Sequence, residues 1–158
     1  MIREMLGMAE GILQDLHSDH EEVSALIEKI LKTEEGSERT SLFKEMMDKL
    51  LAHAHAEQNV LYKKLEKSED EKTRKFAFEG TNEHQIVENQ LEQLSRTRNK
   101  ASEQWTAQMT VLRELVMHHV KEEESTGFSS ARKEFDGEQL EKLGQQFQRQ
   151  KEKLLAET

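Results

Sequence analysis

The sequence contains no cysteine and no proline, and it has only one tyrosine and one tryptophan among its 158 residues. Without cysteine there is no disulfide, zinc–thiolate site, iron–sulfur cluster or thiol nucleophile, so nitrogen and oxygen are the ligand atoms left for a metal. We therefore expect a cytoplasmic protein. Charged residues make up 35% of the chain, a composition that suits helices with narrow buried stripes and broad solvated faces.

A long hydrophobic run is also missing. The N-terminal segment MIREMLGMAEGILQDL is interrupted by Glu4, Glu10 and Asp15, so we interpret it as the lead-in to a first helix, not as a signal peptide or a membrane span. The net charge is −9 and no lysine and arginine cluster offsets it, which argues against nucleic acid or an anionic membrane as a partner. We expect a monomer or a weak homodimer.

Apolar residues recur at steps of three and four, the period of a helix, in four windows. The windows contain Leu13, Leu16, Val23, Ile27 and Ile30; Phe43, Met46, Leu50 and Val60; Val87, Leu91 and Leu94; and Met109, Leu112 and Val116. Gly36 is expected to end the first helix, and Ser68 with Glu71 to form a capping box for the third. The pattern predicts an all-α fold, with an up-down-up-down four-helix bundle over about residues 8–130.

A short additional C-terminal helix is predicted over about residues 136–155. The Asp136 side chain can cap it together with Gln139, and Leu140, Leu143 and Phe147 would pack against the bundle. The chain has no low-complexity linker. We therefore expect a single domain spanning residues 1–158.

Histidines and glutamates occupy several positions where the helical period calls for core residues. The step from Leu16 to Val23, for example, passes through a histidine. The four windows together place six such residues inward, namely His20, His53, Glu57, His84, His119 and Glu123. Burying these groups costs roughly several kcal/mol unless they are paired or bind a cation. A pair of divalent metal ions would explain all six, because imidazole and carboxylate together can ligate two ions.

The candidate ligands also form an internal repeat. The segment EHQIV around His84 is similar to DHEEV around His20, 64 residues earlier. The pattern His-x-x-x-Glu, followed five residues later by an aromatic residue, begins at His53 and again at His119, 66 residues further on. The repeat predicts two helical hairpins that place matching ligands around a pseudo-twofold axis.

The segments DHEEV, HAHAEQNVLY, EHQIVENQL and HHVKEEESTGF resemble the four helix signatures of the hemerythrin-like (HHE) domains, from about residue 13 to 130. The resemblance implies an oxo- or hydroxo-bridged di-iron centre, with His20, His53, His84 and His119 as terminal ligands and Glu57 and Glu123 as bridges. Manganese or zinc would suit the same ligand atoms. The sequence departs from the family in two respects. Glu88 replaces the second helix-three histidine of the oxygen-carrying hemerythrins, and Lys63 and Ser129 replace common prolines.

Several residues near the predicted ligands in sequence are further candidates for the site. His17 and Glu88 are open candidates for a role at the site. A shift of one residue in helical register would exchange His118 with His119. His55 is expected at the surface, because it lies two residues from His53.

Four further residues are assigned simpler roles. Tyr62 is interpreted mainly as an aromatic residue that closes the end of the bundle, with a redox or hydrogen-bonding role beside the metal as the alternative. Glu122 and Glu124 are assigned to a solvated acidic flank, with the alternative that either replaces Glu123 in a distorted helix. Gly80 is expected to leave space beside the metals.

The sequence thus predicts a di-iron protein that binds, senses or reacts with oxygen, peroxide or nitric oxide. Iron storage, donation or repair is an alternative, as is a di-iron oxidoreductase of the catalase or peroxidase type. The Glu-x-x-His pairs of ferritin-like bundles do not occur at the inward positions, which argues against a ferritin-type ferroxidase. Zincin, P-loop and nucleophile-elbow motifs are also missing.

Overall fold

The computed structural model describes residues 10–158. Within this range five long helices contain most of the residues and no strand occurs, which confirms the all-α prediction. The helices are α1 (Ile12–Lys32), α2 (Gly36–Glu57), α3 (Glu71–Arg96), α4 (Glu103–Glu122) and α5 (Gly137–Ala156). The predicted lead-in to α1 lies, up to residue 9, outside the described residues.

Helices α2 and α4 each continue through a π-helical turn. The turns span Gln58–Tyr62 and Glu123–Gly127, and short α-helical segments, Lys63–Leu65 and Phe128–Glu134, follow them. Their i→i+5 hydrogen bonds widen the helix and change which side chains share a face. Each π turn begins at, or directly after, one of the two inward glutamates, so the local distortion falls where the polar residues meet.

Two predicted helix ends are wrong. Helix α1 ends at Lys32, and Gly36 is instead the first residue of α2. Helix α3 is capped by Asp70, whose side chain accepts a hydrogen bond from the backbone amide of Thr73. Ser68 lies too far upstream to cap α3. Glu71, its predicted capping-box partner, is the first residue of the helix.

The prediction for the C-terminal helix is confirmed. Asp136 and Gln139 form the expected capping box at the start of α5, and Leu140, Leu143 and Phe147 are buried. The helix contacts both α1 and α2. Gly11, just before α1, has φ +55°, and a Cβ atom there would overlap the Leu140 carbonyl. Glycine at this position therefore allows the start of α1 to approach α5 closely.

The first four helices contact one another in a closed cycle. Helix α1 packs against α2 and α4, and α3 also packs against α2 and α4. Within residues 10–158, no helix combines the length and apolar character needed to cross a bilayer.

Two apolar clusters fill the interior. One contains Leu16, Val60, Ala77 and Phe128, and the other contains Val23, Met46, Val87 and Val116. Along each of the first four helices, the inward histidines and glutamates occur in sequence between members of the two clusters. The polar side chains therefore form a layer with apolar packing on both sides, which shields them from water.

Candidate metal centre

The structure brings all six predicted side chains together in this buried layer. The set consists of His20, His53, Glu57, His84, His119 and Glu123, and every member is buried. The choice between two adjacent histidines on α4 is also resolved. His119 points inward, whereas the side chain of His118 is 66% exposed.

The six residues divide into two groups of three. Position A consists of His20, His53 and Glu123, and position B consists of Glu57, His84 and His119. Within each group the potential ligand atoms lie within 4.8 Å of one another. Each position takes its two histidines from one pair of consecutive helices and its glutamate from the other pair, as the predicted pseudo-twofold repeat requires.

Each glutamate lies between the two positions. The Oε1 atom of Glu123 is 3.0 Å from Nε2 of His20, and its Oε2 atom is 3.7 Å from Nε2 of His119. The Oε1 atom of Glu57 is 3.7 Å from Nε2 of the position A histidine on α2 and 3.2 Å from Nε2 of the position B histidine on α3. Both carboxylates are thus placed as a bridge between two cations would be.

Four buried polar atoms at this centre have no hydrogen-bond partner among the described residues. They are Nε2 of His20, both carboxylate oxygens of Glu57 and Oε1 of Glu123. A buried polar group without a partner costs about 1–3 kcal/mol, and a charged one costs more. All four are nitrogen or oxygen atoms that can donate a lone pair to a cation. The residues therefore fit a metal site, because a cation would satisfy these atoms together.

Glu57 and Glu123 lie close together, and their pKa values shift in opposite directions. Burial, and then the charge of Glu123, raises the pKa of Glu57 well above its usual range. Burial also acts to raise the pKa of Glu123, but contacts with Glu57 and His20 hold it well below its usual range. Two carboxylates this close need either a proton or a cation between them.

The histidines respond to their different neighbours. Burial would lower the pKa of His20, but its contacts with the Glu123 and Glu124 carboxylates raise it to about 9. Burial, and then the charge of His119, holds the pKa of His84 well below its usual range. His84 is therefore neutral at pH 7, the form in which imidazole binds metals.

Each of the four histidines makes a hydrogen bond to a second side chain through the ring nitrogen that faces away from the centre. The Nδ1 atom of every ring donates a hydrogen bond to a side-chain oxygen, which orients the ring and directs Nε2 inward, where its lone pair can bind a metal once any proton on it is displaced. The pairs are His20 with Glu124 at 2.7 Å, His53 with Asp19 at 2.8 Å, His84 with Gln58 at 2.7 Å and His119 with Glu83 at 2.7 Å.

Sequence reasoning missed these four orienting residues, although a signal for them is present. Asp19 and Glu83 directly precede inward histidines, and Gln58 and Glu124 directly follow the inward glutamates. They keep the same offsets of 64 and 66 residues as the repeat itself. The assignment of Glu124 to a solvated flank is wrong, because its carboxylate bonds His20.

Tyr62 has the hydrogen-bonding role that its sequence position allowed as the alternative interpretation. Its hydroxyl donates a hydrogen bond to Glu123 and lies 3.3 Å from Nε2 of His119, and its ring stacks on that of His84. Burial, and then the charge of Glu123, raises the pKa of Tyr62 well above its usual range, so the hydroxyl keeps its proton. The space expected beside Gly80 is occupied by this ring, so that interpretation of the glycine is wrong.

The remaining candidates lie outside the two positions. His17 is 2.9 Å from Glu124 and shares that carboxylate with the centre. Glu88 pairs instead with His55, at 3.4 Å, on the outer side of α2 and α3. His55 is 41% exposed, as its spacing from the inward histidine predicted.

A small cavity adjoins the four histidines. Its volume is about 30 Å³, close to the share of one water molecule in the liquid. Apolar residues from all four helices contribute most of its surface, among them Val23, Leu50, Ala54, Val87, Leu91 and Val116, and the side chains of Asp19 and Glu88 also line it. The cavity is therefore suited to a small molecule without charge.

Comparison with known proteins gives a consistent result. A family model described as the hemerythrin HHE cation binding domain matches residues 11–129. A curated relative, named a DNA nickase, from Nostoc sp. (strain PCC 7120 / SAG 25.82 / UTEX 2576) is 29% identical over 148 residues. The match covers 90% of this chain but only 40% of the length of that relative. No solved structure matches.

Proposed function

The chain belongs to the hemerythrin HHE cation-binding domain family, and on this basis we propose that it holds two iron ions and binds, senses or reacts with a small oxidant. The observation that carries the proposal is the pair of adjacent ligand sets, whose buried donor atoms lack hydrogen-bond partners within the described residues. In this proposal His20, His53 and Glu123 would hold one ion, and Glu57, His84 and His119 would hold the other.

The closed cycle of helix contacts supports an up-down-up-down bundle as the scaffold. A bound iron pair would supply electrons and an open coordination position to the oxidant. The donor atoms would also accept manganese or zinc. Zinc does not change oxidation state, which redox chemistry requires. Between iron and manganese, the hemerythrin family favours iron, and elemental analysis distinguishes the two metals.

The cavity supports oxygen, nitric oxide or peroxide as the ligand. At about 30 Å³ it admits a molecule of two heavy atoms and excludes ordinary metabolites. Its apolar lining disfavours charged species, because burying an unpaired charge is expensive.

The protein's own groups would control water and protons at the centre. The apolar clusters on either side of the polar layer exclude bulk water. The Tyr62 hydroxyl donates a hydrogen bond to Glu123 and lies beside His119, so it would place a proton donor next to the bound ions.

Iron donation and peroxide decomposition use the same ligands and are separated by measurement. A protein that donates iron would lose it to a weak chelator, and a peroxide-decomposing enzyme would turn over peroxide while keeping its metal. The name of the Nostoc relative describes a protein of which this chain matches 40%, so we do not extend that activity to this chain, and we propose no nucleic-acid partner.

The test is anaerobic reconstitution with ferrous iron, followed by elemental analysis and by visible spectra after oxygen, peroxide or nitric oxide is added. We expect about two irons per chain, as six nitrogen and oxygen ligands allow, and a spectrum that changes with at least one oxidant. The Glu57→Ala/Glu123→Ala double variant should lose the metal.

The adjacent histidines on α4 provide a matched control. His119→Ala should lower metal content, whereas His118→Ala should leave it unchanged, because His118 faces solvent. Equal metal content in both variants and in the double glutamate variant would contradict the proposed ligands.

A further inference from the structure

The side chains that orient the histidines follow the same pseudo-twofold repeat as the ligands. Asp19 on α1 bonds the histidine of α2, and Glu83 on α3 bonds the histidine of α4. Glu124, after α4, bonds the histidine of α1, and Gln58, after α2, bonds the histidine of α3. Each half of the chain therefore supplies two orienting groups in equivalent places.

The repeat is broken at one of these four places. Glu124 presents a carboxylate to His20, but its counterpart Gln58 presents a neutral amide oxygen to His84. Both hydrogen bonds measure 2.7 Å. The two contacts thus match in length and differ in charge.

This charge affects how strongly an imidazole binds a metal. A carboxylate that accepts the Nδ1 proton increases the electron density on Nε2, and changes to such outer partners alter metal affinity by about 10–100-fold. An amide oxygen accepts the same hydrogen bond without a negative charge. His84 is therefore the weakest donor of the four.

We propose that Gln58 makes position B the weaker and more readily exchanged of the two metal positions. This inference rests on the proposed function, because it requires that two metal ions bind. This difference in affinity also sets the order in which the positions bind metal. Position A binds first, and position B binds at a higher free metal concentration and loses its ion first when that concentration falls.

Other charges near the outer partners act on different histidines. Lys151 lies 2.7 Å from Asp19 and offsets part of the carboxylate charge behind His53, and His17 shares Glu124. Neither contact involves His84. A sum of the charges around each position would mix these contacts with the effect of Gln58. Substitution of Gln58 by glutamate, and of its counterpart Glu124 by glutamine, measures the effect of Gln58 alone.

The experiment is an anaerobic titration of metal-free protein with Co²⁺ in competition with a chromophoric chelator, followed by the visible d–d bands of the bound ion. The unmodified protein should bind two ions in two steps whose dissociation constants differ by about 10–100-fold. Gln58→Glu should tighten the weaker step by about tenfold, and Glu124→Gln should weaken the tighter step by a similar factor.

Gln85→Glu is the matched control, because it adds the same charge next to His84 in sequence but on the exposed face of α3. It should leave both steps unchanged. A gain of affinity in Gln58→Glu has the further advantage that damage to the fold would not produce it.

The outcomes separate this inference from the proposed function. Two equal steps in the unmodified protein, or a weaker step that Gln58→Glu does not tighten, would overturn the inference and leave the metal pair in place. Binding of no ion at all would overturn both.

Discussion

Gly80 of α3 lies directly against the ring of Tyr62. A Cβ atom on Gly80 would be 2.7 Å from Cε2 of the ring and 2.9 Å from the hydroxyl oxygen. Tyr62 is fully buried, so the ring has no free space into which to move. Because the same hydroxyl donates to Glu123, the glycine is needed to place a proton donor at the metal centre.

Gly80→Ala should therefore destabilise the metal-free protein by about 1–3 kcal/mol, the usual cost of adding a methyl group to a packed core. Urea denaturation followed by circular dichroism measures this change. Gly36→Ala is the control, since a Cβ atom there would make an ordinary contact with Ala101 at 3.9 Å. That variant should be neutral or slightly stabilising. Equal stability of the two alanine variants would contradict the steric argument.

Tyr62→Phe removes the hydroxyl and keeps the ring. Glu123 then loses a hydrogen-bond donor while it stays buried, which should cost the metal-free protein about 1–3 kcal/mol. The loss should be smaller in metal-loaded protein, because a cation would satisfy the same carboxylate. Unfolding of both forms by urea gives the two values. A loss of the same size with and without metal would show that the hydroxyl and the metal do not share Glu123.

Metal affinity should increase with pH. The pKa of His20 in the folded, metal-free protein is raised from 6.5 to about 9, so its contribution to stability is fully present below pH 6.5 and is lost as the pH rises through 9. Between these values the folded protein carries a proton on His20 that a metal must displace. Apparent affinity should therefore rise by up to about tenfold per pH unit for this proton.

Chelator competition at pH 7, 8 and 9 measures this slope, and calorimetry in buffers of different ionisation enthalpy counts the released protons. Glu57, whose pKa is also raised, should add to the release. His55→Ala is a suitable control, because this histidine is largely exposed and pairs with Glu88 outside the centre. An affinity that does not depend on pH would contradict the protonation of His20.

The inward ligands were predictable because they replace core residues within a regular pattern. His20 and His84 stand at the expected steps of three and four, so their burial follows from the helical period alone. Glu57 and Glu123 follow inward histidines by one turn and share their face. Such inferences need only the geometry of a single helix.

The orienting groups depend on how neighbouring helices pack. Asp19 is adjacent to His20 and so points about 100° away from it on α1, toward α2, where it meets His53. The relative position of α1 and α2 along their axes determines whether Asp19 and His53 meet. The apolar period within one helix carries no information about that position. The internal repeat is the one sequence signal that bears on these residues.

The position of Tyr62 depends on the π turn. In an α-helix a residue five positions after Glu57 points roughly 140° away from it. The i→i+5 hydrogen bonding of Gln58–Tyr62 brings that residue back over the same face. Because apolar periodicity does not reveal a π turn, the sequence favoured an aromatic residue at the end of the bundle over the alternative of a hydrogen bond at its centre.

The C-terminal helix lies beyond the residues 11–129 that match the family model, yet it reaches the metal centre. Lys151 of α5 bonds Oδ1 of Asp19 at 2.7 Å, and Oδ2 of the same carboxylate accepts the Nδ1 proton of His53 at 2.8 Å. The ring of Phe147, one turn earlier on α5, packs edge-on against the His53 ring, with 5.6 Å between the two ring centroids. Helix α5 therefore helps to fix a ligand of position A.

Lys151→Met should raise metal affinity at position A by a few-fold to about tenfold, because the Asp19 carboxylate that accepts the His53 proton loses the cation that offsets its charge. The stability of the metal-free protein should fall by about 1–3 kcal/mol, since both side chains are mostly buried and Asp19 loses a hydrogen-bond partner. Lys153→Met removes an exposed charge from the same helix and should change neither quantity. Lys151→Arg should leave the affinity close to that of the unmodified protein, because it keeps a cation beside Asp19. If Lys151→Met and Lys153→Met bind metal equally well, α5 only covers the bundle and does not act on the centre.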